Sequence, residues 1–231
     1  METKSYTKFG VRAEKIFRVD HGILEENVEI KKRTGILKRL GIDTKTQSYL
    51  FYVGRIDPKK GVDLLLRSFA KIVRNHKELF LVITGTGKNE YVEKIKALSK
   101  DLGINENVRF SGFVSDEEKL ELYESAKMHV VTSHSDVHTT TAIESMAMGT
   151  PVVITKASDF PEIDDYKAGI TVDTNVDSVY NAVEELLQDE KKLKEYSNNA
   201  LRLIQEKFLL KNKIKEYEKM FEDIISKYQK N

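Results

Sequence analysis

Short apolar runs alternate with longer amphipathic stretches along most of the chain. The runs Tyr49–Val53, Leu79–Thr84, Val108–Ser111, Met128–Thr132, Pro151–Ile154 and Gly169–Val172 are predicted strands. Several are apolar at consecutive positions, as strands covered on both faces are. Between them, apolar residues recur at helical spacing. After Gly61, the residues Val62, Leu65, Leu66, Phe69, Ile72 and Val73 make one stripe. Ser115 predicts a helix start, followed by Asp116, Glu117 and Glu118, whose carboxylates oppose the positive end of the helix dipole. Leu120, Leu122, Tyr123 and Ala126 supply the apolar side of that helix. Strands alternating with helices predict an α/β fold, a doubly wound parallel sheet with helices on both faces. Ligands of such sheets bind in the loops beyond the carboxyl ends of the strands.

The two ends of the chain read differently. Ile16–Val19 is a short strand expectation, and residues 24–40 are expected to form a charged helix ending before Gly41. From Asn175 onward the chain reads as nearly continuous helix with an interruption near Phe208. The last helix carries Ile214, Tyr217, Met220, Phe221, Ile224, Ile225 and Tyr228 as an apolar stripe on a Lys/Glu background.

Composition narrows the function. With 231 residues and 40% apolar content, the chain builds one large core, with at most an appendage. Lys+Arg (38) and Asp+Glu (37) cancel to a net charge of +1, so nothing draws nucleic acid or an acidic membrane from a distance. The absence of cysteine excludes disulfides and thiolate metal sites. No apolar run approaches the roughly 20 residues that cross a bilayer, and the start Met-Glu-Thr-Lys-Ser-Tyr lacks the apolar stretch of a signal peptide. The expectation is a soluble, cytoplasmic protein.

Two loops carry chemistry. The first, Val53 to Gly61, leaves a strand and enters a helix. Gly54 removes a side chain where the backbone turns, and Arg55 and Lys60 follow. A guanidinium fork and an ammonium suit a diphosphate; a solvated basic turn fits the same residues. The second loop, Ser133 to Thr141, also follows a strand and opens a helix. Its threonines are candidate caps for that helix, whose first N–H groups and positive dipole end suit an anion. Glu144 lies about one turn inside, either on a binding surface or on a solvent-facing one. His134, Asp136 and His138 alternate, as metal ligands on one side of an extended segment do, but no fourth ligand is evident. The stretch Thr84-Gly85-Thr86-Gly87-Lys88 is neither a P-loop nor a dinucleotide fingerprint, because the spacing and the third glycine are wrong. It reads as a tight turn. No serine occupies a Gly-x-Ser-x-Gly elbow.

From about Lys15 to Phe208 the chain resembles the C-terminal domain of the family 4 ("group 1") glycosyltransferases, whose two Rossmann-like domains form the GT-B architecture. The resemblance rests on four segments in order: Val53-Gly54-Arg55…Pro58…Lys60-Gly61, Asn107 to Val114, Glu144 to Val153, and Pro161-Glu162-Ile163. It implies one Rossmann-like half of that architecture. Residues 1–22 would be a segment like the interdomain connection, 23–207 the nucleotide-sugar-binding domain, and 208–231 a C-terminal amphipathic helix. Arg55 and Lys60 match the cations on the donor diphosphate, and Glu144 matches the glutamate on the ribose hydroxyls. Asp136 stands where the family has a glutamate near the reacting carbon of the sugar, so Asp136, Arg55 and Lys60 are the implied catalytic set. His138, Thr139, Thr140 and Thr141 match backbone positions that meet sugar and phosphate, while Phe113 and Val114 match the segment beside the base, and Gly54 completes the binding set. Two departures stand out. Asp136 is one methylene shorter than the family's residue, and Val137-His138-Thr139 replaces a glycine-containing run, which limits backbone approach to a ligand.

The implied activity is retaining transfer of a glycosyl group from a UDP-, GDP- or ADP-linked sugar, with no cofactor and no metal, because fixed cations neutralise the diphosphate. The family has a second, acceptor-binding domain, so this chain is expected to be inactive alone. Its expected partners are an acceptor-domain chain or a second copy meeting it through the last helix. The alternatives are a non-catalytic nucleotide-sugar-binding or assembly module, and a structural remnant without a ligand.

Overall fold

A computed structural model describes residues 6–17, 19, 21–30, 33–136 and 139–228. In chain order, the elements are α1 (Ile36–Arg39), β1 (Ser48–Val53), α2 (Val62–Ile72), β2 (Leu79–Thr84), α3 (Asn89–Asp101), β3 (Val108–Gly112), α4 (Asp116–Ser125), β4 (Met128–Val131) and α5 (Thr140–Ala147). They continue as β5 (Val152–Thr155), α6 (Glu162–Tyr166), β6 (Gly169–Val172), α7 (Val176–Leu187), α8 (Glu190–Leu203) and α9 (Leu210–Tyr228). The six strands lie in the order β3-β2-β1-β4-β5-β6, all parallel. Each of the six strands predicted between Tyr49 and Val172 is present to within one residue at its ends.

Alternating side chains divide between two cores, which is why several strands are apolar at consecutive positions. Leu50, Tyr52, Leu81, Ile83, Met128, Val130 and Val153 face Leu65 and Phe69 of α2, Ile95 of α3 and Val183 of α7. Tyr49, Phe51, Phe80 and Val82 face the other way, onto Leu122 and Tyr123 of α4. Val131, Val152 and Ile154 meet Ile143 and Met146 of α5 and Leu203 of α8 on that second side. Helices therefore cover both faces, as the pattern predicts. Ser115 starts α4 with a reciprocal capping box: its hydroxyl accepts from the Glu118 amide, and the Glu118 carboxylate accepts from the Ser115 amide.

The ends depart from expectation. Of the strand expected at Ile16–Val19, the described residues Ile16, Phe17 and Val19 have no strand partner, and Arg18 lies outside the described residues. The helix expected over 24–40 is, among the described residues, a single 3₁₀ turn (Glu25–Val28) and the short α1. Gly35, at φ 78°, breaks the chain between them. Thr34 is tied instead to α4: its amide and hydroxyl donate to Glu121 Oε2 at 2.7 and 2.8 Å. The expected interruption near Phe208 is a π turn over Ile204–Phe208, followed by extended Leu209. Ile23 docks there, donating to the Phe208 carbonyl and accepting from the Leu210 amide. On α9, Ile214, Phe221 and Ile225 of the stripe are exposed. Among the described residues, no helix is long and apolar enough to cross a membrane.

Candidate functional site

The strand order reverses direction between β1 and β4. The loops leaving their carboxyl ends feed α2 on one face and α5 on the other, which opens a crevice between them. The two loops nevertheless touch at their roots. Gly61 has φ 63°, and a Cβ there would stand 2.1 Å from the Thr132 carbonyl oxygen. The Thr132 hydroxyl donates to the Gly61 carbonyl at 2.8 Å, and the His134 amide to the Lys59 carbonyl at 2.8 Å. Asp57 caps the turn through Pro58-Lys59-Lys60 by accepting from the Lys59 amide.

Within the crevice, Lys60 Nζ donates to Asp136 Oδ2, joining the expected phosphate cation to the expected sugar-side carboxylate. The Ser133 hydroxyl donates to the same oxygen at 3.3 Å. Gly54 ends β1 with its amide on the Thr84 carbonyl, and its own carbonyl lies against Gly85. Thr84 to Lys88 is thus a tight turn packed beside the first loop. Arg55 is exposed, with its carbonyl held by the Tyr52 hydroxyl at 2.9 Å. Among the described residues, Arg55 pairs with no carboxylate.

At the start of α5, the sequence predicts threonine caps. Thr139 is the N-cap residue, but among the described residues no side chain caps the helix. The Thr139 and Thr141 hydroxyls bond each other at 2.7 Å, and Thr141 also reaches His129 Nε2 at 3.3 Å. Fully buried His129 faces the Phe51 carbonyl through Nδ1 at 3.1 Å. A carbonyl only accepts, so Nδ1 carries the proton and Nε2 accepts from Thr141, which in turn accepts from Thr139. The Thr139 and Thr141 hydroxyls are committed to this chain, and among the described residues no side chain accepts from the first amides of α5.

Burial lowers the pKa of His129 from 6.5 to about 4, against the opposing effect of its bond to Phe51. The unfolded chain takes up this proton as pH falls below 6.5, while the folded chain does so only near 4. The neutral imidazole therefore contributes stability that is complete above the higher value and lost as pH falls to the lower one. We expect the loss to be about 3 kcal/mol. Urea unfolding of wild type and His129→Gln across this interval should show the wild type losing more by that amount; parallel curves would refute it.

Glu144 lies on α5 and is 18% exposed. Its Oε1 accepts from Lys119 Nζ at 2.9 Å and its Oε2 from the Tyr123 hydroxyl at 3.2 Å, both donors being on α4. Lys119 also pairs with Asp116 at 3.0 Å. Burial opposes the charge on Lys119, yet its bonds to Glu144 and Asp116 outweigh it and raise the pKa. Glu26, Glu29, Asp116, Lys119, Leu120 and Glu144 line a recess of about 290 Å³. Phe113, after β3, is 81% exposed, whereas the Val114 side chain is buried with Leu122 and Tyr123 and offers only its backbone to a ligand.

Lys60 and Asp136 are thus in direct contact, with Thr139, Thr140, Thr141 and Glu144 on the helix that follows. His138, and with it the alternation with His134 and Asp136, lies outside the described residues. Sequence reasoning misses Lys119 and Tyr123, since their approach to Glu144 is created by α4 packing on α5. A lysine on the apolar-helix margin was the only local signal.

The profile of the family described as "Glycosyl transferases group 1" matches residues 36–203. An uncharacterized glycosyltransferase of Methanocaldococcus jannaschii is 33% identical over 193 residues, covering 82% of this chain and 48% of that relative. A D-inositol 3-phosphate glycosyltransferase of Corynebacterium jeikeium is 35% identical over 143 residues, covering 59% of this chain and 34% of its own length. The chain thus spans half or less of the length of these relatives. Anabaena HepE in complex with UDP shares the fold with a TM-score of 0.83 at 18% identity, over 96% of this chain and 61% of that one. The C-terminal domain of a glycosyl transferase group 1 family protein from Francisella tularensis does so with a TM-score of 0.70 at 20% identity, over 81% and 99%. At these identities the two structures speak for the fold, a Rossmann-like half of the GT-B type. The profile match over most of the chain, with the relative that covers four-fifths of it, carries the further conclusion: the chain belongs to the group 1 glycosyltransferases.

Proposed function

We propose that this chain is the donor-binding domain of a retaining glycosyltransferase and holds a nucleotide diphosphate sugar in the crevice between the β1 and β4 loops. The observation that carries the reading is the placement of Lys60 on Asp136, in the loop that leads into α5, whose first amides no side chain caps among the described residues. The complexes of Anabaena HepE with UDP and with UDP-glucose lend support by likeness of fold. In this reading Arg55, Lys60 and the start of α5 hold the diphosphate, Glu144 the ribose, and Phe113 and the Val114 backbone the base. The bond from the anomeric carbon to the phosphate oxygen breaks, a bond to an acceptor hydroxyl oxygen forms on the same face, and the hydroxyl proton passes to the departing diphosphate oxygen. The chain's contribution is positioning, together with neutralisation of the charge that grows on the departing diphosphate. The fixed cations do this without a cofactor or metal. The acceptor is held by a further domain, a partner chain or a second copy docked on α9, so the chain alone turns over little donor.

A second reading, a nucleotide-sugar-binding or assembly module without turnover, is favoured by Asp136, which is short and engaged by Lys60. Calorimetric titration with UDP, GDP and ADP tests the shared part of both readings. The expected result is binding in the micromolar-to-millimolar range with one base preferred. No binding of any of the three would sink both. Sugar transfer or donor hydrolysis by the chain alone would remove the second.

A further inference from the structure

Resting on the donor-binding reading above, we propose that Lys119 and Tyr123 are positioning residues that fix Glu144 for a ribose diol and so set the preference for ribonucleotides. A carboxylate has about four acceptor sites. Glu144 spends one on each oxygen, on Lys119 and on Tyr123. One site per oxygen remains, which matches the two hydroxyls of an unmodified ribose. Deleting one ribose hydroxyl leaves one of those sites without a donor.

Both donors are held from behind. Tyr123 is fully buried, with its ring in edge contact with Phe51 at 5.1 Å and His129 at 5.5 Å, so the core sets where its hydroxyl stands. Burial and the neighbouring Glu144 raise the Tyr123 pKa well above 10, so the hydroxyl keeps its proton and donates. Lys119 is held between Glu144 and Asp116. Without these contacts the glutamate is an ordinary flexible side chain at the rim of a recess, and its ordering would have to be supplied by the ligand.

The test uses the full chain as wild type, Tyr123→Phe and Lys119→Met, with the ribo and 2′-deoxy forms of UDP, GDP and ADP, and with inorganic pyrophosphate as a probe that lacks ribose. Wild type is expected to prefer the ribo form of its best nucleotide by about 10-fold. Each variant should lower that ratio at least about threefold, while pyrophosphate affinity stays within about twofold. Tyr123→Phe keeps the buried ring and Lys119→Met keeps the apolar stem, so at least one folded variant is expected, as judged by thermal melting. A merely structural role would shift all ligands together and leave the ratio unmoved. Folded variants that keep the wild-type ratio overturn the proposal while the donor reading stands. A changed order of preference among the bases at an unchanged ratio also overturns it, because Lys119 then serves the base. A wild type that binds no nucleotide, or binds both sugar forms alike, overturns the proposal and the ribose role of Glu144 together.

Discussion

Lys60→Ala is expected to weaken binding of the preferred nucleotide diphosphate by roughly 100-fold, and Arg55→Ala by roughly 10-fold. A hydrogen bond to a charged group contributes about 1.5–3 kcal/mol, and each 1.4 kcal/mol is tenfold. Arg55 is exposed, where screening takes much of that away, whereas Lys60 is only 22% exposed. Removing Lys60 also leaves the Asp136 carboxylate facing the incoming phosphates, which adds repulsion. Asp136→Asn should act in the opposite direction. Asp136 holds Lys60 much as a phosphate would, and the diphosphate must displace it. Neutralising that competitor is expected to tighten binding of the bare nucleotide severalfold. Calorimetry on the three variants checks the pattern. Equal affinity in wild type, Lys60→Ala and Arg55→Ala would remove the diphosphate from this crevice, and weaker binding in Asp136→Asn would show that the carboxylate helps rather than competes.

Gly61→Ala should be among the most damaging single substitutions in the chain. Gly61 has φ 63° and its would-be Cβ stands 2.1 Å from a backbone oxygen of the neighbouring loop. The left-handed conformation alone costs an L side chain about 1–2 kcal/mol. The overlap with the Thr132 carbonyl cannot be relieved by a rotamer change, so the two loops must part, and a total above about 4 kcal/mol is expected. Gly41→Ala isolates the first contribution, because Gly41 has φ 68° and nothing within 4 Å of its would-be Cβ. Urea unfolding should show a loss near 1 kcal/mol for Gly41→Ala and several times that for Gly61→Ala. Similar losses for both would mean that the approach of the loops contributes nothing.

The sheet is legible in the sequence for a physical reason: strands covered on both faces are apolar at successive positions, in short runs bounded by polar residues. The family segments likewise sit where the fold puts its carboxyl-end loops. Long-range pairings are what escape. Residues 24–40 have helical spacing, yet Thr34 bonds to Glu121, 87 positions away, and Gly35 turns left-handed, so local period gives way to a tertiary tether. The threonines before α5 have capping chemistry, yet buried His129 takes the Thr141 hydroxyl and Thr141 takes that of Thr139. Lys119 and Glu144 are 25 positions apart and meet only because two helices pack. Tyr123 reads as a core residue and is one, but its hydroxyl also holds the Glu144 carboxylate.

The adjacency of β1 and β4, with their following helices sent to opposite sides of the sheet, has one more effect. The hollow between them is a by-product of how the chain is wound, not of what lines it. Residues at its rim such as Arg55 and Phe113 are exposed and belong to neither core. They are therefore open to replacement across generations, and a chain of this design can trade one guest for another, or retire from chemistry altogether, without having to learn a new shape.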